Sequence, residues 1–202
     1  PGLEKAAAAD RRMRRLAAAA LIWLGASAPL WAEAFSLALP LDCTLGQTCY
    51  IEDYVDAAPA PGEMQDYTCG LKSRDGHRGT DFALLSFAEI ETGVTVRAAA
   101  SGTVLRTRDS MPDDPQMRVV TAQNACGNAV LVNHDAGWQT LYCHLKAGSV
   151  TVAPGDTVAA GAALGLVGLS GQTNHPHLHL TVLRDGEIVD PFRPQAPGTC
   201  GT

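Results

Sequence analysis

An all-β fold is what this chain predicts: an antiparallel sandwich or barrel-like domain with few helices. Short strand-like runs recur from residue 50 onward, and the segments between them carry Gly, Pro, Asn and Asp turn chemistry. Helical periodicity is nearly absent, with only residues 85–91 reading as a helical turn.

In chain order, the strand-like runs are residues 50–55, 80–85, 94–98, 103–108, 128–133, 139–144, 149–152, 163–167, 177–183 and 187–189. Asp185-Gly186 is a two-residue hairpin signal between the last two, and Asp135-Ala136-Gly137 marks a turn ahead of Trp138. Residues 57–66, with Pro59, Pro61 and Gly62, read as a surface loop. So do residues 109–116, with Pro112 and Pro115. No repeat of solenoid length is present.

The first 34 residues stand apart from this pattern. Arg11-Arg12-Met13-Arg14-Arg15, an apolar stretch from Leu16 to Leu24, and Trp31-Ala32-Glu33-Ala34 have the order of a secretory signal peptide, with cleavage expected after Ala32 or Ala34. The residues before Met13 are read as a misassigned start or as non-native additions. The apolar run is too short for a comfortable membrane span. Export to the periplasm is expected, with the extracellular cell wall as the alternative. The remaining chain divides into a lead-in segment at 35–76, a main domain at 77–193 and a tail at 194–202.

Charge narrows the partners. The chain carries 15 basic and 21 acidic side chains. Removing residues 1–34 takes away Lys5, Arg11, Arg12, Arg14 and Arg15, and Glu4, Asp10 and Glu33. That leaves 10 basic against 18 acidic side chains, a net charge of −8. Such a surface has no basic footprint for nucleic acid and no attraction to anionic lipid, so neither nucleic-acid binding nor stable membrane insertion is expected. Six cysteines follow the leader and none forms a CxxC, which favours disulfides over a Cys-ligated metal. Cys126 and Cys143 flank a predicted hairpin and are expected to bridge it. Cys49–Cys69 and Cys43–Cys200 are the expected remaining pairs.

The densest chemistry lies in His175-Pro176-His177-Leu178-His179. Residues i and i+2 of a strand leave from one face with Cα atoms about 7 Å apart, so His177 and His179 address one space. Two imidazoles facing one space suit a transition metal such as zinc, although alternating histidines also decorate exposed strand faces. A second cluster decides between these readings. His77-Arg78-Gly79-Thr80-Asp81 is an HxxxD spacing; in an extended chain its ends would lie about 13 Å apart. Gly76 and Gly79 are placed to let the backbone turn and bring His77 and Asp81 together. His77 and Asp81 with the HxH pair supply enough donors for a zinc site that keeps an open, catalytic position. On spacing alone, both His177 and His179 qualify as ligands. His144, in Tyr142-Cys143-His144-Leu145, closes a strand and is a further acid–base candidate; no HExxH glutamate base is present.

HxxxD, YxHL and PHLH in this order resemble the lysostaphin-type, LytM-like zinc metallopeptidases. The glycine-punctuated stretches 152–161 and 164–171 are similar to that family's, and the resemblance spans about residues 77–191. It implies one Zn²⁺ per chain held by His77, Asp81 and His179, with His144 and His177 as the catalytic pair that does not ligate the metal. It further implies an endopeptidase hydrolysing peptide cross-links of peptidoglycan, either stem peptides or cross-bridges, by activating water on zinc. A regulatory protein partner is a further expectation. Cys143 fills the variable position of YxHL, where a bridge to Cys126 would stiffen the strand carrying His144. His175 reads as cleft rim and His134 as structural.

Two alternatives follow from the same residues. The first is a catalytically inactive LytM-like regulator that activates another cell-wall hydrolase; such proteins typically lack zinc ligands, whereas all three positions are filled here. The second is a lipoyl- or biotinyl-type carrier. It needs a lysine at a hairpin tip, and neither Lys72 nor Lys146 has that setting.

Overall fold

A computed structural model describes residues 35–193 except 59 and 115–118. The expected signal peptide, the tail at 194–202 and Cys200 lie outside the described residues.

The strands are β1 (Cys49–Asp53), β2 (Thr80–Leu84), β3 (Thr95–Arg97), β4 (Gly102–Arg108), β5 (Asn128–Asn133) and β6 (Trp138–Leu145). They continue with β7 (Thr157–Val158), β8 (Ala163–Leu166), β9 (His177–Arg184) and β10 (Glu187–Val189), and one short helix, α1, spans Ala88–Thr92. The main sheet is antiparallel in the order β1-β2-β9-β6-β5-β4-β7, with β10 also pairing β9. β3 and β8 form a second, two-stranded sheet. Both sheets share one core, in which Val96 and Leu164 of the small sheet join Phe82, Tyr142, Leu178, Leu180 and Val182 of the large one. Among the described residues no helix is long and apolar enough to cross a membrane.

Strand alternation positions the site. On β9, Leu178, Leu180 and Val182 are buried in the core, so His177, His179 and Thr181 leave from the opposite face. On β2, Phe82 and Leu84 face the core and Asp81 the other side. The Asp185-Gly186 turn closes the β9–β10 hairpin as expected, with Asp185 in the left-handed region at φ 53°.

Two sequence expectations are corrected here. Residues 149–152 are not a strand, because the chain is turned at both ends of that run. The Ser149 hydroxyl donates to Lys146 O, and Asp156 N–H donates to Ala153 O. The short strand instead falls at β7, on the sheet edge beside Gly102 and Thr103. The cysteine pairing also differs. Cys43 bonds Cys49, across a tight turn in which Gly46 N–H donates to Cys49 O at 2.7 Å and the two Cα atoms come to 6.0 Å. Neither Cys49–Cys69 nor Cys43–Cys200 then forms, and Cys69 is an exposed free thiol. Cys126–Cys143 forms as expected.

His134 has a structural place. It is buried between Ser101 O, at 2.7 Å from Nδ1, and Thr140 Oγ1, at 2.8 Å from Nε2. Thr140 Oγ1 lies 3.0 Å from the Tyr142 hydroxyl, which accepts Ala99 N–H at 2.7 Å. Every donor is satisfied when His134 carries its proton on Nδ1, Thr140 donates to Nε2 and Tyr142 donates to Thr140. Protonating Nε2 breaks that chain, and burial, the largest effect, lowers the His134 pKa below its ordinary 6.5. The stabilisation is therefore complete above pH 6.5 and is lost as pH falls through the lowered value. His134→Gln should destabilise the protein at pH 7.5 by about 1–3 kcal/mol. In denaturant titrations the gap to wild type should narrow toward pH 5, and a gap independent of pH would refute this role.

Candidate metal centre

β2 and β9 pair so that Asp81 stands directly opposite His179, and β6 places Cys143 opposite His179 on the other side. His77 arrives from the turn preceding β2. That turn needs glycine twice. Gly76 sits at φ +71°, and a Cβ on Gly79 would meet His179 Nε2 and Leu180 O, each at 2.6 Å. The turn thus lies against the β9 backbone, which brings His77 back over Asp81.

His77, Asp81 and His179 offer ligand atoms that all lie within 4.8 Å of one another, a cluster not repeated among the described residues. His179 Nδ1 is 2.7 Å from Asp81 Oδ1, His77 Nε2 is 3.1 Å from Asp81 Oδ2, and the two ring nitrogens are 3.2 Å apart. Each imidazole is anchored at its far nitrogen. His77 Nδ1 donates to Tyr54 O at 2.7 Å, and His179 Nε2 lies 3.0 Å from Thr181 Oγ1. This is the outer support that a metal-binding histidine requires, since it fixes both tautomer and ring plane. Two imidazole nitrogens and one carboxylate oxygen, converging and backed in this way, fit zinc with an open fourth position.

Asp81 is 1% exposed. Burial, the largest single effect, raises its pKa, but hydrogen bonds from His179 and His77 and the charges of His179 and His177 outweigh it and hold the carboxyl far below the usual range. The Arg74 guanidinium contacts Asp81 Oδ2 and reaches Asp53 Oδ2 at 2.8 Å through Nε. Asp81 is therefore an anionic donor at neutral pH.

His177 and His144 flank the cluster. His177 Nε2 is 3.8 Å from Asp81 Oδ2, and the His144 and His177 ring centroids are 4.7 Å apart. His177 Nδ1 donates to His175 O at 3.0 Å and His144 Nδ1 to Ser170 O at 2.8 Å, which leaves each Nε2 facing inward. Burial is the main cause that lowers His144 to about 3 and His177 to about 4, with neighbouring histidine charge adding to it at His144. All five predicted site residues thus meet in one place. With Arg74, Arg78 and Leu141, His77, His144, His177 and His179 line an open cleft of about 560 Å³. His175 stacks on His177 with centroids 4.8 Å apart, and its Nε2 lies 2.5 Å from Glu52 Oε2.

His144 reaches the cleft against strand alternation. Tyr142 is fully buried in the core, so strict period-2 geometry would send His144 inward as well. The pairing with β5 jumps from Val130↔Tyr142 to Asn128↔Leu145, so Cys143 and His144 together oppose the single residue Ala129. This β-bulge turns two consecutive side chains to the cleft and returns Leu145 to the core. Residue spacing carried no sign of it. Thr181, by contrast, was accessible as the next same-face residue after His179, whereas Tyr54 and Ser170 act through backbone carbonyls that any residue possesses.

Residues 75–191 match the model of peptidase family M23, and the chain belongs to that family. It is 32% identical over 121 residues to the DD-carboxypeptidase/endopeptidase Mpg of Neisseria gonorrhoeae, which covers 60% of this chain and 23% of Mpg. It is 29% identical over 121 residues to the peptidoglycan DD-endopeptidase ShyA of Vibrio cholerae, with 60% and 23% covered. It is 31% identical over 147 residues to the cell division protein DipM of Caulobacter vibrioides, with 71% and 23% covered. The chain spans about a quarter of the length of these relatives. Among solved structures, a variant of the catalytic domain of the prophage-encoded M23 protein EnpA from Enterococcus faecalis superposes with a TM-score of 0.51 at 22% identity, covering 76% of this chain and 96% of that one. A chain of the SpoIIIAH and SpoIIQ complex gives 0.53 at 22%, covering 78% and 98%. Both support the antiparallel β fold.

His179→Ala should abolish stoichiometric zinc uptake measured by elemental analysis. Thr181→Val, which removes only the outer anchor, should weaken zinc affinity by about 10- to 100-fold in competition with a chromogenic chelator. Unchanged affinity in Thr181→Val would show that the His179–Thr181 contact does not orient the ligand.

Proposed function

We propose that this protein is a zinc-dependent endopeptidase that hydrolyses peptide cross-links of bacterial peptidoglycan after export to the periplasm. The observation that carries the reading is the pair of inward-facing Nε2 atoms of His144 and His177 beside a three-donor cluster of His77, Asp81 and His179. Membership of family M23 and relatives named as peptidoglycan endopeptidases supply the substrate class. The signal-peptide pattern and the disulfides support an oxidising compartment outside the cytoplasm.

Zinc held by His77, Asp81 and His179 would supply Lewis acidity and bring the pKa of water toward 7. The chain's own groups supply the rest. Burial keeps His177 and His144 neutral at neutral pH, so each Nε2 presents a lone pair to the cleft. Their Nδ1 donors are spent on His175 O and Ser170 O, which fixes the tautomer before substrate arrives. One imidazole accepts a proton as water attacks the scissile carbonyl. The resulting imidazolium can then hold the developing oxyanion and pass its proton to the leaving amine. Arg74 and Arg78 at the cleft rim offer hydrogen-bond donors to an anionic substrate group.

A second reading has one observation in its favour. DipM, the relative aligned over 147 residues, is named for cell division rather than for hydrolysis. A non-catalytic activator of another wall hydrolase would bind peptidoglycan or a partner without turnover.

Zinc-loaded protein incubated with purified peptidoglycan should release uncross-linked stem peptides, and a chelator should stop the release. His177→Ala should keep one zinc per chain and lose turnover by about 10²- to 10⁴-fold. If folded, zinc-loaded protein cleaves no wall type tested, the activator reading stands instead. If His177→Ala strips the metal, the division of roles is wrong.

A further inference from the structure

The backbone of His144 lies in the left-handed region, at φ +64°. Few non-glycine residues adopt this conformation, and it persists only where surrounding structure over-determines it. Here the surroundings can be named. His144 N–H donates to Cys126 O at 2.9 Å, Gly168 N–H donates to His144 O at 2.9 Å, and the ring is held by Ser170 O. Two of these three anchors lie on the β8–β9 connection, itself fastened by the Ser170 hydroxyl to Leu145 O at 2.7 Å. The third, Cys126, sits in the long connection between β4 and β5. Cys126 is bonded covalently to Cys143, the other residue of the bulge and the immediate neighbour of His144. Both half-cystines line the cleft.

We propose that the Cys126–Cys143 disulfide is a positioning element for His144: it holds the β6 bulge turned toward the cleft, so that turnover depends on it while metal binding does not. The proposal rests on the peptidase reading above. Its logic is one of location. The three metal donors come from the turn before β2, from β2 and from β9, and none is on the bulge. β6 is registered to β9 from Trp138 to Cys143 through a continuous strand ladder. The bulge itself is different, because it interrupts the β5–β6 ladder between Asn128 and Val130. There the ladder hydrogen bonds are replaced by the Cys126 carbonyl, which the S–S bond keeps in reach. The other bridge, Cys43–Cys49, closes a turn at the start of β1, and neither of its cysteines lines the cleft.

The test compares zinc-loaded wild type, Cys126→Ser/Cys143→Ser and, as control, Cys43→Ser/Cys49→Ser. The first double variant should keep one zinc per chain and an unchanged KM on peptidoglycan fragments, while kcat falls by about 10- to 100-fold, the scale of a misplaced catalytic group. Amide hydrogen exchange followed by NMR gives a readout that needs no activity. The His144 and Gly168 amides should lose protection while those of His179 and Thr181 on β9 keep it. The control should match wild type in both measurements. If the Cys126→Ser/Cys143→Ser variant does not fold, the Cys43→Ser/Cys49→Ser protein treated with a water-soluble phosphine replaces it. Each disulfide reduced accepts two electrons from the phosphine and yields two thiols, while one water supplies the oxygen of the phosphine oxide and the two thiol protons. Unaltered protection at His144, a kcat no lower than the control, or loss of zinc would each overturn the proposal. Loss of protection at His144 in a protein with no peptidase activity would support the positioning and reject only the peptidase reading.

Discussion

Everything at this site depends on the pairing of three strands. β2, β9 and β6 run antiparallel with Asp81, His179 and Cys143 in one row across the sheet. The side-chain period of a strand is two residues. A slip of one residue in either pairing would send the cleft side chains to the core and the leucines to solvent. The alternation Leu178, Leu180, Val182 against His177, His179, Thr181 makes that slip costly, because three fully or nearly fully buried apolar side chains would lose the core. The geometry of the His77–Asp81–His179 cluster and core stability are therefore specified by the same register.

On this frame the electrostatics are arranged by burial. A carboxylate almost sealed from solvent stays ionised because imidazoles surround it. Two further imidazoles, buried beside it, stay neutral. The histidines divide by what holds their far nitrogens. His77, His144 and His177 are oriented by backbone carbonyls of Tyr54, Ser170 and His175, and His179 by a threonine hydroxyl. Carbonyl anchors tie ring orientation to the fold rather than to particular side chains, so the arrangement is preorganised before any ligand enters.

Much of this was legible in the sequence, and the failures have physical causes. The HxH spacing correctly placed His177 and His179 on one face, because strand alternation is fixed by geometry. It did not separate the two by their distance from Asp81, which is registered opposite His179 at 2.7 Å and lies 3.8 Å from His177. The sequence marks Gly79 only as a turn residue, whereas its place is explained by the close approach of His179 and Leu180 O, a tertiary contact. The bulge at Cys143–His144 was invisible, since it arises from an extra residue relative to β5. The disulfide expectations failed where a local turn decided the outcome: Cys43 and Cys49, six apart, meet across a tight turn, which leaves neither for Cys200 or Cys69.

If His77, Asp81 and His179 hold zinc while His144 and His177 stand off it, X-ray absorption at the zinc edge of the loaded protein should show a first shell of nitrogen and oxygen at about 2.0–2.1 Å, with outer-shell scattering from two imidazoles. Scattering from three or more imidazoles, or a sulfur ligand at about 2.3 Å, would contradict that assignment.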